Sequence, residues 1–305
     1  MRSIYTRRDQ SARQCTSSLL RTEVGTSVWS CTSAGRLLKK LLFLAQVGLL
    51  LAACRGRDTD CLEFLDSHAL RFPTHHVQGL ALTDDAYYVS SVDREGEQGW
   101  LFQIDRGSLS LQTTKELTKG ALIHPGGIHQ DGAYLWIPNA EYDRDGPTEI
   151  LKVDPQTLEM VGSFVVDDHI GLVASDGVGR LYGANWDSLS FYVWDWDGTL
   201  IEKVDSPTRV KYQDCGFQDP LLVCGGQKSR KRGAIDFIDP ESWTLVDSIA
   251  VGETGRGHSL AHEGLSLSGE TVYLLPEDGP DSEILLYRLC RAPRVWYDDD
   301  LRPSQ

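Results

Sequence analysis

A repeat of about 45 residues constrains this chain more than any other feature, because a fixed period of that length marks an array of supersecondary units. Five segments align: "HVQGLALTDDAYYVSS" from His76, "HPGGIHQDGAYLWIPN" from His124, "HIGLVASDGVGRLYGAN" from His169, "YQDCGFQDPLLVCGG" from Tyr212 and "HEGLSLSGETVYLLPE" from His262. Their starts are 48, 45, 43 and 50 residues apart. Each opens with a short apolar run, turns through Asp and Gly, and continues into a second run. Third runs follow at 100–104, 149–153, 191–194, 234–238 and 284–289. Turns such as Asp154-Pro155-Gln156-Thr157 and Asp239-Pro240-Glu241-Ser242 then lead into fourth runs, as at 158–165 and 244–250. Short stretches of Val, Ile, Tyr, Phe and Trp between turn clusters read as strands, and no helical period is sustained after residue 54. Four antiparallel strands per unit, repeated, make an all-β chain and a β-propeller.

The strand count also says how the ring closes. The last unit has only three strands before the chain runs into "RVWYDDDLRPSQ", while one strand, 61–70, stands alone before the first unit. That lone strand is expected to complete the last blade, which removes two exposed sheet edges. Five blades follow from the count; six would need one further, degenerate unit.

The N-terminal region reads differently. Leu41–Ala53 is an apolar run of 13 residues behind Arg36, Lys39 and Lys40. It is shorter than the roughly 20 residues that span a bilayer. A basic segment, a short apolar core and small terminal residues form a secretory signal. Leu51-Ala52-Ala53-Cys54 resembles a bacterial lipobox, which implies lipidation of Cys54. The expected divisions are therefore a non-native or disordered extension over 1–35, a lipoprotein signal over 36–53, a tether over 54–60, the propeller over 61–290 and a tail over 291–305. The location implied is the bacterial cell envelope, facing the periplasm or the cell surface.

The whole chain carries a net charge of −14. Beyond residue 53 the charge is more negative still, since the leader holds more Lys and Arg than Asp and Glu. That excludes nucleic acid as a partner and docking of the protein surface on anionic lipid. It fits a soluble acidic exterior, metal cations or basic ligands. The basic cluster Lys228–Arg232 reads as a loop between strands. No Cys pair has zinc-site spacing. In an exported chain the cysteines left after Cys54 are disulfide candidates: Cys215 with Cys224 across a hairpin, and Cys61 with Cys290 where the lone strand meets the last blade.

Chemistry, if the chain performs any, belongs where the innermost strands begin, since these converge at one mouth of a propeller's channel. His75, His76, His124, His169 and His262 stand there, with Gln78 and Glu263 just before glycines. Imidazoles and carboxylates in a ring suit a divalent metal or acid–base work. A histidine at a repeated position also serves as a fixed hydrogen-bonding group. His76 and His124 lie three residues before Gly79 and Gly127, but His169 and His262 lie two before Gly171 and Gly264, an offset that strand alternation sends to opposite faces. Asp143-Arg144-Asp145-Gly146 with Glu149 has alternating oxygens suited to calcium but not a full calcium loop. Trp186, Trp194 and Trp196 suit either sugar stacking or the space between blades. No nucleophile elbow, zinc-protease helix or phosphate loop is present.

The rhythm, with pieces such as "KVDPQTLEMVGSF" and "HEGLSLSG", resembles the propeller superfamily of gluconolactonase and regucalcin-like proteins and bacterial surface-layer propellers, over about residues 61–290. It is also similar to an uncharacterised bacterial family of propeller lipoproteins. The lactonase resemblance implies Glu, Asn and Asp around a divalent cation on the axis. Glu263-Gly264 matches its opening, whereas Asn139 and Asn185 fall on second strands. The expectation is a lipid-anchored envelope propeller that binds a small ligand or an envelope protein at its axial mouth. The alternatives are a metal-dependent hydrolase or lyase using His76, Gln78, His124, His169, His262 and Glu263, and a scaffold in an envelope assembly.

Overall fold

A computed structural model describes residues 62–290. Five antiparallel sheets form five blades. Blade one is β2 (His76–Leu82), β3 (Ala86–Asp93), β4 (Gln98–Asp105) and β5 (Leu111–Glu116). Blade two is β6 (Leu122–Pro125) and β7 (His129–Gln130), two pieces of one inner strand, followed by β8 (Leu135–Glu141), β9 (Thr148–Val153) and β10 (Met160–Val166). Blade three is β11 (Ile170–Ser175), β12 (Arg180–Asn185), β13 (Ser190–Asp195) and β14 (Leu200–Asp205). Blade four is β15 (Lys211–Gln218), β16 (Leu221–Ser229), β17 (Arg232–Asp239) and β18 (Thr244–Val251).

Blade five takes β19 (Gly264–Ser268), β20 (Thr271–Leu275) and β21 (Glu283–Leu289) from the end of the chain, and its outermost strand is β1 (Leu62–Ala69). The register runs from Leu62↔Leu289 to Ala69↔Glu283. The ring is closed by the lone N-terminal strand.

The core divides by seam. Five separate apolar clusters each join two neighbouring blades, and the one containing Leu70, Val77, Tyr87, Leu275 and Ile284 joins blade five to blade one. Blades thus hold each other by their faces, which explains why Trp136, Trp194 and Phe191 are buried between sheets. The turns between third and fourth strands share one device. Asp154 Oδ1 accepts the amides of Gln156 and Thr157 at 2.8 and 2.9 Å, and Asp105, Asp195 and Asp239 do the same in their blades. A carboxylate that caps its own turn replaces ladder bonds the turn cannot make, which is why Asp recurs at this point of the repeat.

In blade four Cys215 stands opposite Cys224 in the ladder, and the two are joined by a disulfide. Cys290 is exposed and forms no disulfide with another described residue. Cys61, its expected partner, lies outside the described residues, as do Cys54 and the 1–53 leader. No helix among the described residues is long and apolar enough to cross a membrane.

Candidate functional site

The inner strands carry the site, and their irregularities position it. In blades one, three and four the ladder skips a residue near the strand start, at Gln78, Gly171 and Gln213. A bulge inserts one residue and re-aims its neighbours. The bulge at Gly171 corrects the offset expected from the sequence. Leu172, not Gly171, pairs in the register of Gly79, so His169 matches His76. Blade two places His124 opposite Ala140, the same register. Lys211 holds the corresponding place in blade four. His262 does not share it, because β19 begins only at Gly264 without a bulge.

Two tiers result. The outer tier is His76, His124, His169 and Lys211. The inner tier is Gln78, Gly171, Gln213 and Glu263. All eight line a cavity of about 180 Å³ at one end of the axis. Loops add Arg94, Tyr142, Trp186 and Asp187 to its wall.

Below the inner tier the channel is closed. A methyl group on Gly126 would lie 2.0 Å from the Gly171 carbonyl oxygen, one on Gly127 2.4 Å from that of Gln213, and one on Gly79 2.7 Å from the Ile128 amide nitrogen. Only glycine permits this approach. Asp214 stands where Gly79 and Gly127 stand in their own strands, and its carboxylate fills the space they leave. It is fully buried. It accepts the amides of Leu80 at 2.8 Å, Leu265 at 2.9 Å and Cys215 at 3.0 Å, with Ile128 as a fourth donor. Burial pushes this carboxyl well above the usual range, against the pull of those four donors. One side chain thereby ties blades one, two, four and five at the axis.

The cavity's histidines are individually fixed. His76 Nδ1 meets Asp278 Oδ2 at 2.9 Å. His169 Nδ1 lies 2.7 Å from the Asp143 carbonyl oxygen, and its Nε2 lies 3.3 Å from His124 Nδ1. The His124 ring packs against Tyr142 at 4.5 Å, and His169 against Trp186 at 4.4 Å. Burial, with His169, His76 and Arg94 nearby, pushes His124 down to about 3. Burial also holds His169 below its ordinary value, although the Asp143 carbonyl and Asp168 oppose it. Both rings are neutral at neutral pH.

Glu263 is buried on the floor and bonds His262 Nδ1 at 2.7 Å. Burial works against charge on His262, but Glu263, Asp278 and Glu277 outweigh it and raise its pKa. His262 therefore stands behind the wall, stacked on His258 at 4.8 Å. His75 lines a different, apolar groove.

Trp186 leads a strained turn. Asp187 and Ser188 both have positive φ, at 62° and 54°, a conformation that costs a non-glycine residue of order 1 kcal/mol or more. Surrounding contacts hold it. Asp187 bridges Arg144 at 2.8 Å and Lys211 at 2.9 Å, Ser188 Oγ donates to the Tyr212 carbonyl, and Arg144 lies over the Trp186 ring.

Several expected sets do not assemble. Glu149 turns away from the Asp143 turn and binds Lys119 Nζ through both oxygens at 2.8 Å, so no calcium loop forms. Asn139 donates to the carbonyls of Leu117 and Leu122, while Asn185 reaches the cavity wall. Trp194 and Trp196 fill the seam between blades two and three. Lys228–Arg232 spans the exposed turn from β16 to β17. No group of three or more His, Cys, Asp or Glu side chains among the described residues is placed to share a metal ion.

Sequence reasoning missed Arg94, Tyr142, Asp187, Lys211, Gln213 and Asp214. The repeat contained a signal for three of these: Lys211 and Gln213 sit at the His76 and Gln78 positions, and Asp214 at a glycine position. Arg94 and Tyr142 come from loops, which have no period. His129, at the other end of the axis, was also missed. Its ring nitrogens meet the amides of Ser175 and Phe217 at 3.1 and 3.2 Å, and burial lowers it to about 4, so it is a structural staple.

A model of the family of unknown function DUF6454 matches residues 49–235. No curated protein matches the chain. Among solved structures, the glutaminyl cyclase of Myxococcus xanthus is 15% identical, with 76% of this chain and 98% of that one covered and a TM-score of 0.54. BamB of Moraxella catarrhalis is 8% identical over 74% and 99%, at 0.42. The PQQ-bound aldose sugar dehydrogenase of Streptomyces coelicolor is 12% identical over 74% and 97%, also at 0.42. The similarity to the Myxococcus xanthus structure is one of fold alone and says nothing about activity.

Proposed function

The chain belongs to the DUF6454 family of unknown function, so its role must be read from its own site, and we propose that it is a propeller that binds a small polar ligand at its axial mouth. The observation that carries this is the convergence of unlike polar side chains from equivalent positions on different blades, above a floor that backbone and Asp214 close. Structural need alone would repeat one residue; here the equivalent places hold His, His, His and Lys, then Gln, Gly, Gln and Glu. The cavity is small beside the about 300–1,000 Å³ of sites for drug-sized ligands. It therefore suits a small metabolite better than a peptide segment or a protein loop. The metal-dependent hydrolase reading has less support, because the donors do not gather around one point.

The proposal extends to location: the 41–53 apolar run and Cys54 support a lipid tether at the cell envelope. Labelled fatty acid should enter the protein and fail to enter Cys54→Ser.

Ligand binding is tested by thermal shift on the full chain, using a panel of small amines, amides, amino acids, carboxylates and sugars. A ligand that binds only the folded state stabilises it by about 2.7 kcal/mol at a hundred times its Kd. At least one panel member should raise the Tm, and His124→Ala and Glu263→Ala should each remove that rise. Stabilisation that survives both substitutions would place binding elsewhere.

A further inference from the structure

We infer that His124 faces the cavity as a one-sided acceptor, with a bare Nε2, and that the ligand group meeting it is an N–H or O–H donor of a small amine, amide or alcohol. This rests on the axial mouth being a ligand site; the tautomer itself follows from geometry alone.

The chain of protons can be worked out from one end. The Asp143 carbonyl oxygen has lone pairs and no proton, so His169 Nδ1, 2.7 Å away, must donate to it. A neutral imidazole has a single N–H, which leaves His169 Nε2 bare. His124 Nδ1 faces that lone pair at 3.3 Å, so it carries a proton and donates. His124 has then used its only N–H, and its Nε2 is left as an acceptor. The structure gives that nitrogen no protein partner, and His124 lines the cavity.

Two observations hold the chain in this direction. Reversing it needs a protonated His169 or a different ring orientation. Burial disfavours the charge on both rings, with His76 and Arg94 adding to the effect at His124. Packing disfavours rotation: Tyr142 meets the His124 ring edge-to-face, and Trp186 lies 4.4 Å from His169 and 5.9 Å from His124. His76 shows the same arrangement on the next blade, with Nδ1 committed to Asp278.

The ligand class follows from what the cavity then offers. His124 Nε2 is an acceptor without a protein partner, and the floor carboxylate of Glu263 meets His262 Nδ1 with one oxygen and has the other to offer; both residues are largely sheltered from water. A buried acceptor left unmet costs about 1–3 kcal/mol, so a ligand that binds well brings donors to them. Amines, amides and hydroxyls do; a bare phosphate or carboxylate brings only further lone pairs to these two groups, whatever it gains from Arg94 and Lys211 in the same cavity.

Side-chain ¹⁵N NMR on the ligand-free full chain separates this inference from ligand binding, since it reads the tautomer directly. The spectrum at neutral pH should show His124 and His169 both protonated at Nδ1 and bare at Nε2, the less common tautomer. His169→Ala removes the acceptor and should return His124 to the Nε2–H form. His169→Gln keeps a side-chain oxygen there and should preserve the Nδ1–H form. An Nε2–H or imidazolium His124 in the wild-type spectrum would overturn the inference without the variants. If the tautomer holds, a panel in which only carboxylates or phosphates shift the His124 signals would overturn the ligand class.

Discussion

Replacing Asp214 by alanine should bring the ring close to its stability limit. The carboxylate is fully buried and accepts amides from four blades: Leu80 at 2.8 Å, Leu265 at 2.9 Å, Cys215 at 3.0 Å, and Ile128. Alanine leaves all four without a partner where the backbone admits no movement, because Gly79, Gly127 and Gly264 already pack at less than contact distance for a methyl group. A buried donor left unmet costs about 1–3 kcal/mol, so four cost about 4–12 kcal/mol. A water molecule drawn into the vacated space would move the loss towards the lower end. Whole domains of ordinary stability have about 5–15 kcal/mol in hand. Urea unfolding of the full chain, followed by tryptophan fluorescence, measures the loss as a fall in midpoint at constant slope. A variant within about 1 kcal/mol of wild type would refute the assignment of Asp214 as the axial tie.

Gly127→Ala should fail to give folded protein, since its methyl would lie 2.4 Å from the Gln213 carbonyl oxygen and 2.6 Å from Asp214 Oδ1; soluble yield and circular dichroism check this. His262 has a raised pKa in the fold, so its contribution is complete below the ordinary histidine value and is lost as pH rises through the raised one. The stability gap between wild type and His262→Gln should therefore narrow as pH rises above the ordinary histidine value of about 6.5, and a gap that widens would refute the Glu263 pairing as its cause. Extending the β1–β21 register by one residue beyond Leu62↔Leu289 would set Cys61 against Cys290, so non-reducing peptide mapping of exported protein should find that pair joined. A Cys61 link to Cys215 or Cys224 would contradict the register.

The architecture was legible because it is written in periods. Strand runs of Val, Ile and Tyr between Asp-Gly turns repeat five times, and a three-strand final unit with a spare strand at the front admits one closure. The site was only half legible. His76, His124, Gln78 and Glu263 could be picked out because each opens a repeat. His169 appeared out of register, since a bulge at Gly171 is invisible to counting, whereas the same offset at His262 is real, because its strand has no bulge. Asp214 was hidden by its surroundings: an Asp in the strand "YQDCGF" has no evident role until the glycines of the other blades are seen to leave a hole of its size. Arg94 and Tyr142 arrive from loops whose course depends on tertiary contacts with Trp186 and His124, and no local pattern encodes that.

The position of a bound ligand is the most direct test of the axial mouth as the binding site. A crystal structure of the full chain soaked with the most stabilising compound of the panel measures this. Density is expected above Asp214, between His124 and Glu263, with a ligand N–H or O–H donating to His124 Nε2 at about 2.7–3.2 Å. Density confined to the opposite mouth, beside His129 and Gln130, or on the outer strands would contradict that assignment.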